Sequence, residues 1–372
     1  MDKIKTAFIF GTRPEAIKLV SLILAMRARE EFDVKVVITA QHRQMLDPIL
    51  KHFSVKPDYD LNLMKHNQTL FEVTAKAIEE LEHPLREISP DIVLVQGDTT
   101  TTFAGALASY YLKISVAHVE AGLRTGDKYR PFPEEMNRAL TTRLASLHFC
   151  PTDKAVENLL RERIAPDSIF LTGNTGIDTL LRVAAESEDK FDLLGKLAPN
   201  KKLLLLTLHR RESFGQPIKR ALTKIGEIVK ARDDVQLVYP VHMNPNVKNP
   251  AEEILGEIPN VLLIPPVDYF PFVSLLKRAY LILTDSGGIQ EEAPSLGVPA
   301  LVLREVTERQ EAVEAGTAIL VGTDPDKISA NMLRLLDNPY EHAKMSGISN
   351  PFGDGRACER IIDILISKAG NY

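Results

Sequence analysis

Short apolar runs alternate with segments of helical period along the whole chain, the pattern of parallel strands each followed by a covering helix. In the first half the predicted strands are TAFIF (6–10), VKVVIT (34–39), DIVLVQ (91–96), ISVAHV (114–119), SLHFC (146–150) and SIFLT (168–172). The second half restarts with KLLLLTLH (202–209) and continues with VQLVYP (235–240), NVLLIP (260–265), YLILTD (280–285), PALVL (299–303) and AILVG (318–322). Between them, AAESEDKFDLLGKLAPNK (184–201) is polar and broken by Gly195 and Pro199, which makes it the predicted linker. The expected organisation is therefore a first domain over 1–183, a linker over 184–201 and a second domain over 202–354. An amphipathic helix in the closing segment 355–372 is expected to pack back on the first domain. Ligands of doubly wound sheets sit beyond the carboxyl ends of the strands, so two facing domains would share one cleft.

Composition changes this picture little. At 372 residues the chain is long for one core, in keeping with two domains. A net charge of −5 argues against a nucleic-acid binder. Two cysteines, Cys150 and Cys358, support neither a disulfide framework nor a thiolate zinc site. The opening MDKIKTAFIFGTRPE reads as a first strand and not as a signal peptide, and no apolar run approaches bilayer length. A cytoplasmic location away from membranes is expected.

Polar residues gather just after the strands. GTRPEAIKL places Pro14 at a helix start and sets Arg13 and Lys18 where an anion could be met, though a plain capped helix with solvated cations fits equally. GDTTTTFAGALA follows the next strand with Asp98 and four threonines, poor helix formers that suggest capping or ligand contact. HVEAGLRTG sets His118 and Glu120 at a strand end; a zinc deaminase would also need Pro-Cys-x-x-Cys, which is missing, so no metal is expected. PFPEEMNR opens a helix with Glu134 and Glu135, which alone would be explained by the helix dipole. Acids at successive strand or helix ends of one domain invite a catalytic reading.

In the second half HRRESFG brings His209, Arg210, Arg211 and Glu212 together, and neighbouring cations call for an anion or for carboxylates. YPVHMNPN supplies His242, and LREVTERQ supplies Arg304, Glu308 and Arg309. TDSGGIQEEAPSLGVP ends a buried strand in glycines: Ser286, Gly287 and Gly288 would offer backbone N–H groups to a diphosphate. Glu292, a turn further on, is placed for ribose hydroxyls, with Glu291 structural and Pro294 keeping the helix short. Neither G-x-G-x-x-G after the first strand nor a Walker sequence occurs, so neither NAD nor ATP chemistry is indicated.

FGTRPEAIK, TAQHRQMLD, GDTTTT, HVEAGLRTGD, PEEMNR, HRRESFG, YPVHMNPN and TDSGGIQEEAPSLG resemble, in order, the signature stretches of the non-hydrolysing UDP-N-acetylglucosamine 2-epimerases. The resemblance covers essentially the whole chain. It implies an α/β fold of GT-B type, two Rossmann-like doubly wound parallel-sheet domains facing across a cleft. It also implies reversible conversion of UDP-GlcNAc to UDP-ManNAc for cell-surface polysaccharide, without cofactor, by a homodimer. Carried over residue by residue, Asp98, Glu120 and Glu134 match the catalytic acids and His209 the histidine of the HRRE stretch. Arg13, Lys18, Phe272, Ser286, Gly287, Gly288, Glu292 and Arg309 match substrate and UDP contacts. Gln41, Gln44, Arg210 and His242 match a regulatory substrate site of bacterial members, but Asn67 stands where an arginine is common. Gln310 stands where proline is usual, a change expected to loosen that turn.

Inversion at carbon 2, which is not next to a carbonyl, needs transient oxidation or loss of UDP. The absent dinucleotide fingerprint favours anti elimination to 2-acetamidoglucal and re-addition, with Asp98 as base. The alternatives are a GT-B glycosyltransferase, a hydrolysing epimerase that releases ManNAc, and a non-catalytic UDP-sugar sensor. Three acids beside a diphosphate argue against the sensor, since a binder gains nothing from that repulsion.

Overall fold

A computed structural model of the chain describes residues 2–40, 43–63, 68–186, 195 and 197–370, without the side chain of Gln44. The chain divides into two compact units, Met1–Thr179 with Phe352–Tyr372, and Leu180–Pro351.

In the first unit the elements run β1 (Ile4–Phe10), α1 (Arg13–Arg27), β2 (Phe32–Ile38), α2 (Arg43–His52), β3 (Tyr59–Asp60), α3 (Leu70–Ile88), β4 (Ile92–Gln96) and α4 (Thr100–Tyr111). They continue with β5 (Ser115–Val119), α5 (Glu134–Leu144), β6 (Leu147–Cys150), α6 (Asp153–Arg161), β7 (Ile169–Leu171) and α7 (Thr175–Ala185), whose residues after Thr179 count with the second unit. The strands form one parallel sheet in the order β3-β2-β1-β4-β5-β6-β7. All five residues of β4 are buried, as a strand covered on both faces requires. Ala7, Ile9, Val37, Val93, Val95, Ala106 and Val116 form a core on one side.

The second unit runs β8 (Lys202–Thr207), α8 (Gln216–Lys230), β9 (Val235–Pro240), α9 (Pro245–Leu255), β10 (Val261–Ile264), α10 (Tyr269–Arg278) and β11 (Ala279–Thr284). It ends with α11 (Gly287–Glu292), β12 (Ala300–Val302), α12 (Gln310–Ala315), β13 (Ala318–Leu320), α13 (Pro325–Asp337) and α14 (Pro339–Ser346). Its parallel sheet has the order β10-β9-β8-β11-β12-β13. Leu204, Leu206, Leu222, Ile225, Leu237, Leu283 and Met332 pack in its core.

Twelve of the thirteen strands lie where the apolar runs predict them. The exception is β3, only two residues long, which carries no period of its own. In each sheet the strand order reverses once, between β1 and β4 and between β8 and β11. A crevice opens at such a reversal beyond the strand ends, because the flanking crossovers depart to opposite faces. Arg13 and Asp98 follow the two strands of the first switch point, and His209 and Asp285 follow those of the second.

The last helix, α15 (Ala357–Ser367), belongs to the first unit and packs on α1. Its N-cap residue Arg356 offers no side-chain cap. Asp178 supplies one instead, accepting from the backbone N–H groups of Ala357 (3.3 Å) and Cys358 (2.8 Å). Asp178→Ala should therefore lower the stability of the first unit by about 1–2 kcal/mol in urea denaturation. An unchanged midpoint would mean that apolar contacts alone hold α15.

Candidate active site

The first-unit cluster is built on a buried carboxylate. Glu15, 1% exposed, is the third residue of α1 and turns its side chain back over the helix start. Its Oε2 accepts from Gly11 N (3.0 Å) and Thr12 N (2.8 Å), and its Oε1 from Thr99 Oγ1 (2.7 Å). Thr99 in turn caps α4, accepting from Thr102 N at 3.1 Å. Thr101 Oγ1 lies 2.9 Å from Thr39 Oγ1 at the end of β2. Capping and internal tethering thus account for three of the four threonines. Burial pushes the Glu15 carboxyl above its ordinary range, against the opposing pull of the hydrogen bonds it accepts.

That arrangement decides what the end of β1 can hold. In a dinucleotide fold, backbone N–H groups at this turn receive the pyrophosphate. Here the N–H groups of Gly11 and Thr12 already face a carboxylate of the same chain. Arg13, the first residue of α1, makes no side-chain hydrogen bond or ion pair among the described residues and stays half-buried.

Asp98 lies between β4 and α4. Its carboxylate pairs with Arg138, and its backbone oxygen accepts from Asn137 Nδ2 at 2.9 Å. Both partners lie on α5, one turn after Glu134, so the acid of GDTTTT and the start of α5 are drawn together. Glu134 keeps a buried Oε2 without a hydrogen-bond partner among the described residues. Its neighbour Glu135 is structural, because Oε1 accepts from Thr125 N and Gly126 N, both at 3.0 Å, and Oε2 from Arg138 Nη1 at 3.1 Å.

Glu120 follows β5 with a φ of 65°, the left-handed region that a non-glycine residue seldom adopts. Its two carboxylate oxygens meet Lys18 of α1 and Gln96 at the end of β4. Gly97 beside it has a φ of 71°, and a Cβ there would sit 3.4 Å from Glu120 Oε2. His118 is fully buried and gives its Nε2–H to Gly97 O at 2.7 Å. Burial brings its pKa down to about 3, which keeps the ring neutral. Among the described residues no group of three His, Cys, Asp or Glu is arranged to hold a metal ion.

In the second unit the corresponding strand end is again held by an internal carboxylate. Asp285, fully buried after β11, accepts with Oδ2 from the backbone N–H of both His209 and Arg210, each at 2.7 Å. His209 also stacks on His242, with ring centroids 5.9 Å apart and planes 18° from parallel. Arg210 Nη1 lies 3.9 Å from Glu308 Oε1. Glu308 forks onto Arg304, which also binds Glu212 at 2.6 Å. Carboxylates therefore balance this cationic run. Despite burial, the Arg304 hydrogen bonds hold the Glu308 carboxyl down at about 2.

Gly287 and Gly288 are the first two residues of α11, so their N–H groups have no acceptor within the helix. Ser286 differs, since its N–H is engaged by Thr284 Oγ1 at 3.0 Å. The Arg309 guanidinium lies across the same helix start: a Cβ on Gly287 would be 3.3 Å from its Cζ. Glu291, buried, aims the guanidinium by accepting from Nε at 2.7 Å. Glu292 closes α11, and Pro294 then tightens the chain into a 3-10 turn over Ala293–Leu296. Phe272 sits half-buried on α10, one turn after Tyr269. At Gln310 the side-chain amide donates to Thr307 O at 2.6 Å.

Of the regulatory set, Arg210 and His242 adjoin His209, whereas Gln41, Asn67 and the side chain of Gln44 lie outside the described residues. Sequence reasoning passed over Glu15, Gln96, Arg138 and Asp285. Glu15 had a signal in the capping-box spacing Thr12-x-x-Glu15, and Arg138 in its helical spacing from Glu134. Asp285 was marked only by being an acid at the end of an apolar strand.

The family model described as UDP-N-acetylglucosamine 2-epimerase matches residues 24–366. The enzyme of that name from Escherichia coli K12 is 53% identical over 97% of this chain and 98% of its own. Its Bacillus subtilis 168 counterpart is 51% identical over 100% of this chain and 97% of its own. The crystal structure of the Neisseria meningitidis UDP-GlcNAc 2-epimerase bound to UDP-GlcNAc superposes with a TM-score of 0.86 at 47% identity, covering 98% of this chain and 100% of that one. The two doubly wound sheets are those of the GT-B class.

The Glu15 tether makes a direct prediction. Glu15→Ala should cost on the order of 2–4 kcal/mol in urea denaturation, because buried donors lose their acceptor. Glu15→Gln should cost less, since the amide oxygen can still accept. An alanine variant as stable as the parent would show that the tether does not hold the two loops.

Proposed function

The chain belongs to the UDP-N-acetylglucosamine 2-epimerase family, and from that premise we propose that it interconverts UDP-GlcNAc and UDP-ManNAc by losing UDP and adding it back. A base takes the proton from carbon 2 while the carbon 1–oxygen bond breaks, so that the bonding pair leaves with UDP and 2-acetamidoglucal forms. Carbon 2 then receives a proton on the opposite face, and a UDP phosphate oxygen re-forms the bond to carbon 1. No group is oxidised.

The observation that carries elimination over transient oxidation is the occupied turn after β1. A carboxylate rather than open N–H groups stands where a dinucleotide fold receives pyrophosphate. This fits the family reading, in which the first unit handles protons and the second holds the nucleotide.

In the roles we assign, Asp98 is the base and Glu120 and Glu134 carry protons for the other face, with Lys18 and Arg138 as counterions. Arg13, His209, Arg309 and the N–H groups of Gly287 and Gly288 hold the diphosphate as charge develops on it. Glu292 accepts from the ribose hydroxyls and Phe272 lies against the base. Retention of the glycal until it recombines makes the enzyme non-hydrolysing.

Its product would supply a transferase that consumes an N-acetylmannosamine donor for polysaccharide. Exposed Tyr110 and Tyr111 on α4 and Leu140 on α5, helices packed together, support a homodimer. Two buried free cysteines fit a cytoplasmic setting, and among the described residues no helix is long and apolar enough to cross a membrane.

The test is proton NMR of the protein with UDP-GlcNAc alone in deuterated water. The proposal expects UDP-ManNAc and deuterium at carbon 2, without added nicotinamide. Accumulation of free ManNAc would mean hydrolysis, and silence until an acceptor is supplied would mean transfer. Asp98→Asn should lower turnover on the order of 10³-fold or more while UDP still binds by calorimetry. Loss of UDP binding would make Asp98 a ligand rather than the base.

A further inference from the structure

We infer that Asp285 is a positioning residue for His209, setting which ring nitrogen carries the proton that faces away from the leaving diphosphate. The inference rests on the function proposed above, but its structural half can be measured without turnover.

Asp285 is fully buried, yet its two oxygens are used differently. Oδ2 accepts the backbone N–H groups of His209 and Arg210, which fixes the carboxylate and the start of the loop after β8 together. Oδ1 has no hydrogen bond among the described residues and lies 3.2 Å from His209 Nδ1. A buried carboxylate oxygen is costly to leave unmatched. A proton on Nδ1 is what matches it, since an unprotonated Nδ1 would set a lone pair against the carboxylate.

The other neighbours leave that assignment standing. His242 stacks on the ring face and gives its own Nδ1 to Asn244 N as an acceptor at 3.1 Å. Arg210 points its guanidinium towards Glu308, and Glu212 is paired with Arg304. The His209 ring, with its side chain 44% exposed, therefore presents Nε2 as its remaining polar atom.

The consequence is chemical. With a proton on Nδ1, 3.2 Å from Asp285 Oδ1, Nε2 is the ring nitrogen left to meet the substrate. A ring that also carries a proton on Nε2 donates it as a hydrogen bond to the UDP oxygen on which charge accumulates as the bond to carbon 1 breaks. Asn at 285 would keep an oxygen for the two backbone donors but would turn an amide N–H towards Nδ1. That forces the proton of the neutral ring onto Nε2.

Nitrogen-15 imidazole NMR of the ligand-free protein, at a pH of about 8 where an ordinary histidine ring is neutral, tests this directly. Signals of His209 are assigned by their loss in His209→Gln. The parent protein should show the Nδ1–H form, and Asp285→Asn should show the Nε2–H form. In UDP-GlcNAc turnover, Asp285→Asn should lower kcat on the order of 10²-fold with KM changed less than about threefold.

An Nε2–H ring in the parent, or an Asp285→Asn variant with unchanged kcat, overturns the inference. Should the asparagine variant fail to fold, the tautomer of the parent still decides. Absence of epimerase turnover in the parent would instead count against the proposed function and leave the tautomer result intact.

Discussion

The carboxylate of Glu15 accepts two backbone N–H groups from the turn after β1 and the hydroxyl of Thr99, the residue that caps α4. Through that single side chain the turn leading into Arg13 and the loop bearing Asp98 are held as one piece. Burying a carboxylate is unfavourable unless its lone pairs are matched, and the raised protonation range of Glu15 records that cost. The hydrogen bonds offset it only while both loops keep their places. Arrangement at the first switch point thus follows from satisfying one buried group.

The second unit repeats this logic with different residues. Asp285, at the end of β11, takes the two N–H groups that follow β8. In both sheets, then, the donors beyond the central strand serve an internal carboxylate. At the start of α11 in the second unit, Gly287 admits the Arg309 guanidinium and Glu291 aims it. Of the two glutamates that follow these glycines, Glu291 faces the arginine and Glu292 lies at the far end of the short helix.

Much of the fold was legible because parallel strands buried on both faces are apolar without interruption, as in the fully buried IVLVQ of β4. The two-residue β3 was not, since its place depends on pairing with β2 and not on its own composition. Candidate residues that stand in short runs after strands, such as Asp98, Glu120, His209 and Gly287, can be picked out of the sequence. Their partners distant in sequence cannot. Arg138 reaches Asp98 across 40 residues and Asp285 reaches His209 across 76, and no local pattern encodes either pairing. Of the two explanations the threonine run offered, capping or ligand contact, capping accounts for Thr99, which with Thr102 also meets Glu15, while Thr101 is tied to Thr39.

Cleavage of the bond between carbon 1 and the diphosphate is the central claim, and it can be followed by oxygen exchange within the substrate. UDP-GlcNAc labelled with oxygen-18 at the bridge to the β-phosphate is turned over and then examined by phosphorus NMR. If UDP departs and returns, rotation of the freed phosphate scrambles the label into non-bridging positions of both sugar nucleotides. Inversion at carbon 2 with the label still confined to the bridge would contradict the account, because the bond to UDP would then never have opened.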